Sequence, residues 1–200
     1  MKKVLFALIF GLVLSVLFTV QSDSIHADLS DNLIRLHIIA NSDSETDQAV
    51  KLKVRDRILS EMSVYFKDAK DAGECRKIIN NNIDMVVWYA NDELKKNGFD
   101  YTADAYYGRF EFPTKVYANV TLPKGEYEAV RVVLGKGEGH NWWCVMFPPL
   151  CFTNETKGEL DSENKEFLKE NLNGESYDII TNNGNLDVKI KFKLLELITN

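Results

Sequence analysis

The stretch from Gly135 to Phe152, GKGEGHNWWCVMFPPLCF, constrains the fold of this chain more than any other. Its three glycines at alternate positions permit positive φ angles and close backbone approach, and the Pro-Pro pair removes two backbone donors. Successive side chains of a strand point to opposite faces, so only one of Trp142 and Trp143 can enter a given core face. The other indole must be covered by a second layer of structure or left for a partner outside the chain.

The N-terminal residues have the layout of a secretory signal segment. Lys2 and Lys3 precede an uncharged apolar run from Val4 to Val20, and the chain turns polar at Gln21. The run is slightly shorter than the roughly 20 residues that a membrane helix needs, and it lacks a clean cleavage motif. We therefore predict that residues 1–27 are a signal peptide or an N-terminal membrane anchor, that the chain is exported, and that 28–200 form a single globular domain.

Composition narrows the classes of partner. The chain is 45% hydrophobic and 27% charged, as expected of a globular protein, and its formal net charge is −6. An acidic protein is a poor candidate for binding nucleic acid or an anionic membrane, so membrane contact is expected only through an uncleaved signal segment. Few soft ligands lie near one another in the sequence, so no metal site is predicted, and no cofactor motif is present.

The first half of the domain has one strand pattern followed by two helix patterns. Leu33 to Ala40, LIRLHIIA, alternates as a half-buried strand does, which places His37 on the more polar face in a structural role. A helix is expected next, because Ser42 and Ser44 both have capping-box spacing. Its apolar positions recur every four residues, and we expect its charged side chains, including Lys51, to lie mostly in water. A second helix is predicted from Asp71 to Lys96, with Cys75 in its buried stripe.

From Phe99 the apolar period changes from helical spacing to two, which indicates strands. Strands are predicted at Tyr101 to Phe112, Lys115 to Leu122, Tyr127 to Leu134 and Trp142 to Phe147. Pro123-Lys124-Gly125 predicts a hairpin that joins Val116–Thr121 to Glu128–Val133 in an antiparallel meander. The expected fold class is therefore α+β, with the two early helices packed on one face of a mostly antiparallel sheet.

The C-terminal part of the chain has weaker signals. Residues 153–185 are polar and include a short predicted helix from Asp161 to Leu172. Alternation of apolar residues with lysines between Leu186 and Leu194 predicts a final strand.

Two chemistries are open for the Gly135–Phe152 stretch. Cys144 is a candidate thiol nucleophile with His140 or His37 as base and Asp43 or Asp104 as orienting acid, although no nucleophile-elbow or papain-type surround is present. The sequence favours a protein that is not an enzyme. Alternatively, Cys144 and Cys151 form a disulfide in an oxidising compartment.

The same stretch is suited to binding a protein partner, because interface hot spots are enriched in Trp, Tyr and Arg. The candidate partner-binding residues are Trp142, Trp143, His140, Pro148 and Pro149. The alternative is that both indoles lie inside the fold, one on each side of the sheet. The Asn41-Ser42-Asp43 turn is a second candidate surface, although helix capping explains it adequately.

Two long blocks of sequence resemble the stage II sporulation protein R family of endospore-forming bacteria. They are IRLHIIANSDSETDQAVKLKVRDRIL, from Ile34 to Leu59, and YGRFEFPTKVYANVTLPKGEYEAVRVVLGKGEGHNWWCVMFPPLCF, from Tyr107 to Phe152. The HNWWCVMFPPLC segment is the most specific part of the resemblance, which extends from about Leu33 to Phe152.

The resemblance implies a signalling protein that the forespore exports into the space between the two membranes separating it from the mother cell. There, family members activate a membrane-embedded aspartic protease, stage II sporulation protein GA, which processes the precursor of an early mother-cell sigma factor. The Trp142 to Cys151 segment is then the expected contact with the extracytoplasmic side of the protease. The competing function is an exported thiol-dependent hydrolase that acts through Cys144.

Overall fold

The structure is a computed structural model that describes residues 2–67, 69–117, 119–152, 160 and 162–181. Its elements, in chain order, are α1 (Lys2–Asn32), β1 (Ile34–Ile39), α2 (Glu45–Phe66), α3 (Ala72–Lys96), β2 (Ala103–Phe112), β3 (Lys115–Tyr117), β4 (Val120–Leu122), β5 (Gly125–Leu134), β6 (Asn141–Phe147), a 3₁₀ turn (Leu150–Phe152), α4 (Ser162–Asn171) and α5 (Gly174–Thr181). Within these residues, no helix is both long and apolar enough to cross a membrane.

Four strands form the main sheet in the order β2-β5-β1-β6. The β1 and β5 strands are parallel, whereas the β2–β5 and β1–β6 pairs are antiparallel. With α2 and α3 packed against this sheet, the predicted α+β class with a mostly antiparallel sheet is confirmed.

The predicted meander is wrong in its strand pairing, because β6 pairs with β1 and not with its predicted neighbour β5. Residues 115–122 do not pair with β5 but fold on themselves as the small β3–β4 hairpin. The Pro123-Lys124-Gly125 turn predicts that the chain reverses, but it carries no information about which strand becomes the partner. The β5 strand has buried side chains on both faces, Tyr127 on one and Val130 on the other. It is therefore more stable in the sheet centre, where β1 and β2 pair with it on both sides.

The predicted early helices are confirmed, with caps at their first turns. Ser44 precedes α2 and its hydroxyl accepts a hydrogen bond from the backbone N–H of Asp47, so the structure uses the second of the two capping sites. Asp71 caps α3 in the same way through the N–H of Glu74. Cys75 is fully buried, as predicted, and burial raises the pKa of its thiol.

The second face of the sheet is also covered, at the end where Arg35 and Tyr127 are buried. Leu29 near the end of α1, Leu33 directly after it, the β4 strand, α4 and α5 contribute to a second apolar core on this face. The prediction of a half-buried β1 is therefore wrong, because Arg35 is fully buried and His37 is 3% exposed. Alternation identified β1 as a strand, but the second layer comes from segments that are distant in sequence.

The C-terminal predictions can be compared with the structure only up to residue 181. The helix predicted from Asp161 to Leu172 corresponds to α4, and α5 follows it without having been predicted. The predicted strand from Leu186 to Leu194 lies outside the described residues.

Candidate functional site

The two tryptophans lie on β6, which is an edge strand of the described sheet, and point to opposite faces. Both side chains are half-buried. Trp142 packs on the core beneath α2 and α3, where the guanidinium carbon of Arg55 lies 4.3 Å from the ring centroid. Trp143 lies on the second face. Each indole is therefore partly covered by other residues of the fold. Trp142 lies on the face that α2 and α3 cover, and Trp143 lies on the opposite face.

Trp143 stacks on the imidazole of His37, with ring centroids 3.7 Å apart and an interplanar angle of 12°. The Nε of Arg131 donates to Nδ1 of His37 at 3.1 Å, so Nδ1 is the unprotonated nitrogen. The other nitrogen, Nε2, then carries the proton and donates to Oδ1 of Asn141 at 2.7 Å. Burial lowers the pKa of His37 to about 4, against the opposing effect of the Asn141 bond. His37 is thus a neutral ring in a defined tautomer at neutral pH.

The strand register aligns four of these side chains across the sheet. Tyr106 is opposite Arg131, Arg131 is opposite His37, and His37 is opposite Trp143. We call these four residues the cross-sheet row. Tyr106 is 54% exposed at one end of the row, and Arg131 and Trp143 are half-buried. Only Trp143 was a candidate partner-binding residue from the sequence, because alternation on one strand does not reveal its neighbours on another.

Arg35 lies next to the row and is enclosed by aromatic rings. Its guanidinium carbon is 4.1 Å from the ring centroid of Phe112 and 4.9 Å from that of Tyr127. Its Nη2 donates to the hydroxyl of Tyr117 at 2.6 Å, which ties the β3–β4 hairpin to the sheet. Among the described residues, Nε and Nη1 of Arg35 have no hydrogen-bond partner. Burial lowers the pKa of Arg35.

The glycine loop before β6 is locked onto the Asn41-Ser42-Asp43 turn. The side-chain oxygen of Asn41 accepts from the N–H of Lys136, and its backbone oxygen accepts from that of Glu138. A Cβ at Gly139 would collide with the carbonyl of Ser42, so this position needs glycine. These contacts favour the structural explanation of the turn over a role as a binding surface.

Asp47 holds the other side of this turn. It is 5% exposed and accepts hydrogen bonds from Asn41, Ser42 and Tyr101, the last at 2.6 Å. Burial alone would raise its pKa, but these hydrogen bonds hold the pKa of Asp47 below its ordinary value. Tyr101 correspondingly has a raised pKa, through burial and through its bond to Asp47.

His140 does not lie in a catalytic arrangement with Cys144. Its exposed ring pairs with Asp43 at 2.5 Å, and its backbone oxygen accepts from the ammonium of Lys51. Lys51 is only 4% exposed, so the expectation that this charge lies in water is wrong. The reason is that the loop before β6 supplies the backbone oxygen of His140 as a hydrogen-bond partner for this ammonium.

Cys144 is bonded to Cys151 in a disulfide. The other candidate base, His37, lies on the opposite face of the sheet, because Cys144 is in register with Leu36. Asp104 is on β2, at the far edge. The arrangement proposed for a thiol nucleophile is therefore not assembled in this structure. Among the described residues, no group of three or more potential metal ligands is positioned to hold an ion.

The Pro-Pro pair ends β6 at a small groove. The Phe147–Pro148 peptide is cis, Pro148 is buried and Pro149 is exposed. A groove of about 230 Å³ lies beside Pro149. Its apolar lining includes Leu59, Phe66, Met146, Phe147 and Phe167. Pro149 thus remains accessible to a partner, whereas Pro148 has a packing role.

Comparison with known proteins identifies the family. The model of the stage II sporulation protein R family matches residues 30–157, which include the whole main sheet and the disulfide. Stage II sporulation protein R of Bacillus subtilis (strain 168) is 40% identical over 143 residues, which are 70% of this chain and 64% of that protein. The match thus spans less than two thirds of the relative's length. No solved structure matches the chain. The chain belongs to the stage II sporulation protein R family.

Proposed function

We propose that this chain is an exported signalling protein that activates a membrane-embedded aspartic protease, stage II sporulation protein GA. Family membership supports a role in sporulation. In our proposal, residues 1–27 direct export from the forespore into the intermembrane space. The activated protease then processes the precursor of an early mother-cell sigma factor, and the chain itself is not the hydrolase.

The observation that carries the proposal is the aromatic and cationic cross-sheet row. A half-open sheet face that presents Tyr106, Arg131 and Trp143 has the composition of a protein-binding hot spot. The rings are held in place by stacking and hydrogen bonds, so little conformational entropy is lost when a partner binds. This surface replaces the complete Trp142 to Cys151 segment as the proposed contact.

Activation by binding requires different affinities for two states of the protease. A ligand shifts a conformational equilibrium only by the difference between its affinities for the two states. We therefore propose that the chain binds the active arrangement of the protease more tightly than the inactive one.

The disulfide argues against a thiol-dependent hydrolase. A sulfur atom bonded to a second sulfur is not a thiolate nucleophile, and Cys144 is bonded to Cys151. Cys75 does not replace it, because its thiol is buried and its pKa is raised.

The test is co-expression of this chain, the protease and the sigma-factor precursor in a host that does not sporulate. We expect the precursor to shorten on a blot only when all three proteins are present. Cys144→Ser should retain activity in proportion to the amount of folded protein, and replacement of a catalytic aspartate of the protease should abolish shortening. Shortening that persists with the inactive protease, or that fails when all three proteins are folded and correctly located, would contradict the proposal.

A further inference from the structure

We infer that the open end of the second sheet face is a docking surface for a protein segment that presents a carboxylate beside an apolar side chain. The identity of that protein as the protease rests on the proposed function, whereas the chemistry of the segment follows from the surface.

The surface consists of the cross-sheet row and the next row outward. The outer row contains Asp104, Val133, Ile39 and Asn141, which the strand register places side by side. Each of these four is half-buried or exposed. The helices and the β3–β4 hairpin of the second layer pack on the other end of this face, around Arg35 and Tyr127. The open end is therefore continuous across the width of the sheet.

Arg131 determines the charge that this surface prefers. Its guanidinium carbon lies 3.8 Å from the ring centroid of Phe110, and its Nε is committed to His37. Two other arginines that contact the sheet have acidic partners, Arg76 with Glu128 and Arg109 with Asp31, whereas Arg35 is fully buried among aromatic rings and is not accessible to a partner. Within the described part of the chain, Arg131 has no ion pair.

A carboxylate is the group that best matches this arrangement. Partial burial lowers the pKa of Arg131, so the cation lacks part of its hydration and gains from a charged acceptor. The guanidinium is held over Phe110, and its Nη groups make no hydrogen bond to the residues that the structure describes, a geometry suited to bidentate contact with a carboxylate. Tyr106 and Trp143 on either side supply the apolar area for a neighbouring side chain of the partner.

Charge disfavours two other occupants of this surface, the chain's own C-terminal residues and a second copy of the chain. The chain's own residues 182–200 carry three lysines, Lys189, Lys191 and Lys193, against two acidic residues. In a symmetric dimer, the row would face its own copy, which brings two Arg131 cations towards each other. The one acidic side chain in the two rows, Asp104, lies in the outer row opposite Val133. A carboxylate-bearing segment of a different protein has neither disadvantage.

Photo-crosslinking of the full chain tests this inference. Tyr106→p-benzoylphenylalanine places the crosslinker at the end of the row, and the protease reconstituted in lipid nanodiscs is the probe. The matched control is Trp88→p-benzoylphenylalanine on α3, since Trp88 and Tyr106 are both 54% exposed. We expect position 106, but not position 88, to crosslink to an extracytoplasmic segment of the protease that contains Asp or Glu. A crosslink from position 106 to a second copy or to residues 182–200, or equal crosslinking from positions 106 and 88, would overturn the inference.

Binding measurements with charge variants test the role of Arg131. Arg131→Gln should weaken binding to the nanodisc protease at least about tenfold, because it removes one partner of a desolvated charge pair. Arg131→Lys should retain more affinity, and Arg109→Gln, which changes an exposed arginine elsewhere on β2, should bind as the wild type does.

Arg131 also donates a hydrogen bond to His37, so circular dichroism is used to check that each variant is folded. Tyr106→Ala serves as a second test of the surface at an exposed position. Wild-type affinity in folded Arg131→Gln or, if that variant does not fold, in Tyr106→Ala would overturn the docking surface and the contact assigned to it above, but not the activation of the protease, which co-expression tests separately. If the wild-type chain itself does not bind the protease, both proposals are wrong.

Discussion

The imidazole of His37 on β1 and the indole of Trp143 on β6 stack face to face at one edge of the main sheet. The stack buries the histidine, whereas the indole of Trp143 is half-buried. One pair of rings therefore links the stability of β1 and β6 to the proposed binding surface.

The stability of the protein should fall as the pH decreases from about 6.5 to about 4. The pKa of His37 is lowered to about 4 by burial, so in this window the unfolded chain binds a proton that the folded chain does not. The contribution of His37 to the free energy of unfolding is fully present above pH 6.5, and about 3 kcal/mol of that contribution is lost by pH 4. Urea unfolding of the wild type and His37→Gln at several pH values measures the difference.

The His37→Gln variant should lose this part of the pH slope even if it is less stable overall. Asn141→Ala is the matched control, because it removes the hydrogen bond to Nε2 but retains the imidazole. An unchanged slope in His37→Gln would show that this histidine is not the titrating group.

Removing either half of the disulfide should destabilise the fold by about 2–3 kcal/mol, the chain-entropy value for a short closed loop. Cys144 and Cys151 form one bond, so either substitution alone already removes it. The free energy of unfolding of the double variant should therefore lie within a few tenths of a kcal/mol of that of the less stable single variant. Thermal unfolding of Cys144→Ser, Cys151→Ser and the double variant, with and without reductant, tests this. Reductant should destabilise the wild type but none of the variants.

Tyr101→Phe should lower the free energy of unfolding by about 1.5–3 kcal/mol, because it removes a hydrogen bond to the buried carboxylate of Asp47. Tyr106→Phe removes a hydroxyl from an exposed ring and should change stability by less than about 0.5 kcal/mol. Equal effects of the two substitutions in chemical denaturation would contradict the role assigned to Asp47.

Gly137→Ala should destabilise the protein by at least about 1–2 kcal/mol. Gly137 has a φ of 65°, and a Cβ there would approach Cγ1 of Val133 to 2.7 Å. Gly174→Ala is the matched control, since a Cβ at that position meets nothing within 4 Å. Thermal unfolding that ranks Gly174→Ala as the more harmful change would show that the loop tolerates side chains.

Local patterns predicted much of the secondary structure. The capping residue Asp71 and the apolar spacing after it located α3 to within one residue, and the period of two located β6. Cys75 was assigned to the core from its position in a helical stripe. These features depend on contacts between residues that are close in sequence, so a single sequence contains the information that specifies them.

The sequence by itself determined the α+β class, the early helices, the positions of β1, β2, β5 and β6, and the family resemblance carried by the Trp-Trp segment. Only the tertiary structure decided that β5 pairs with β1 and β2, that Arg35 and His37 are buried, and that Arg131 and Tyr106 align with Trp143. The physical reason is that strand pairing and burial of a second sheet face depend on which distant segments together bury the most apolar surface, and no local spacing encodes that choice.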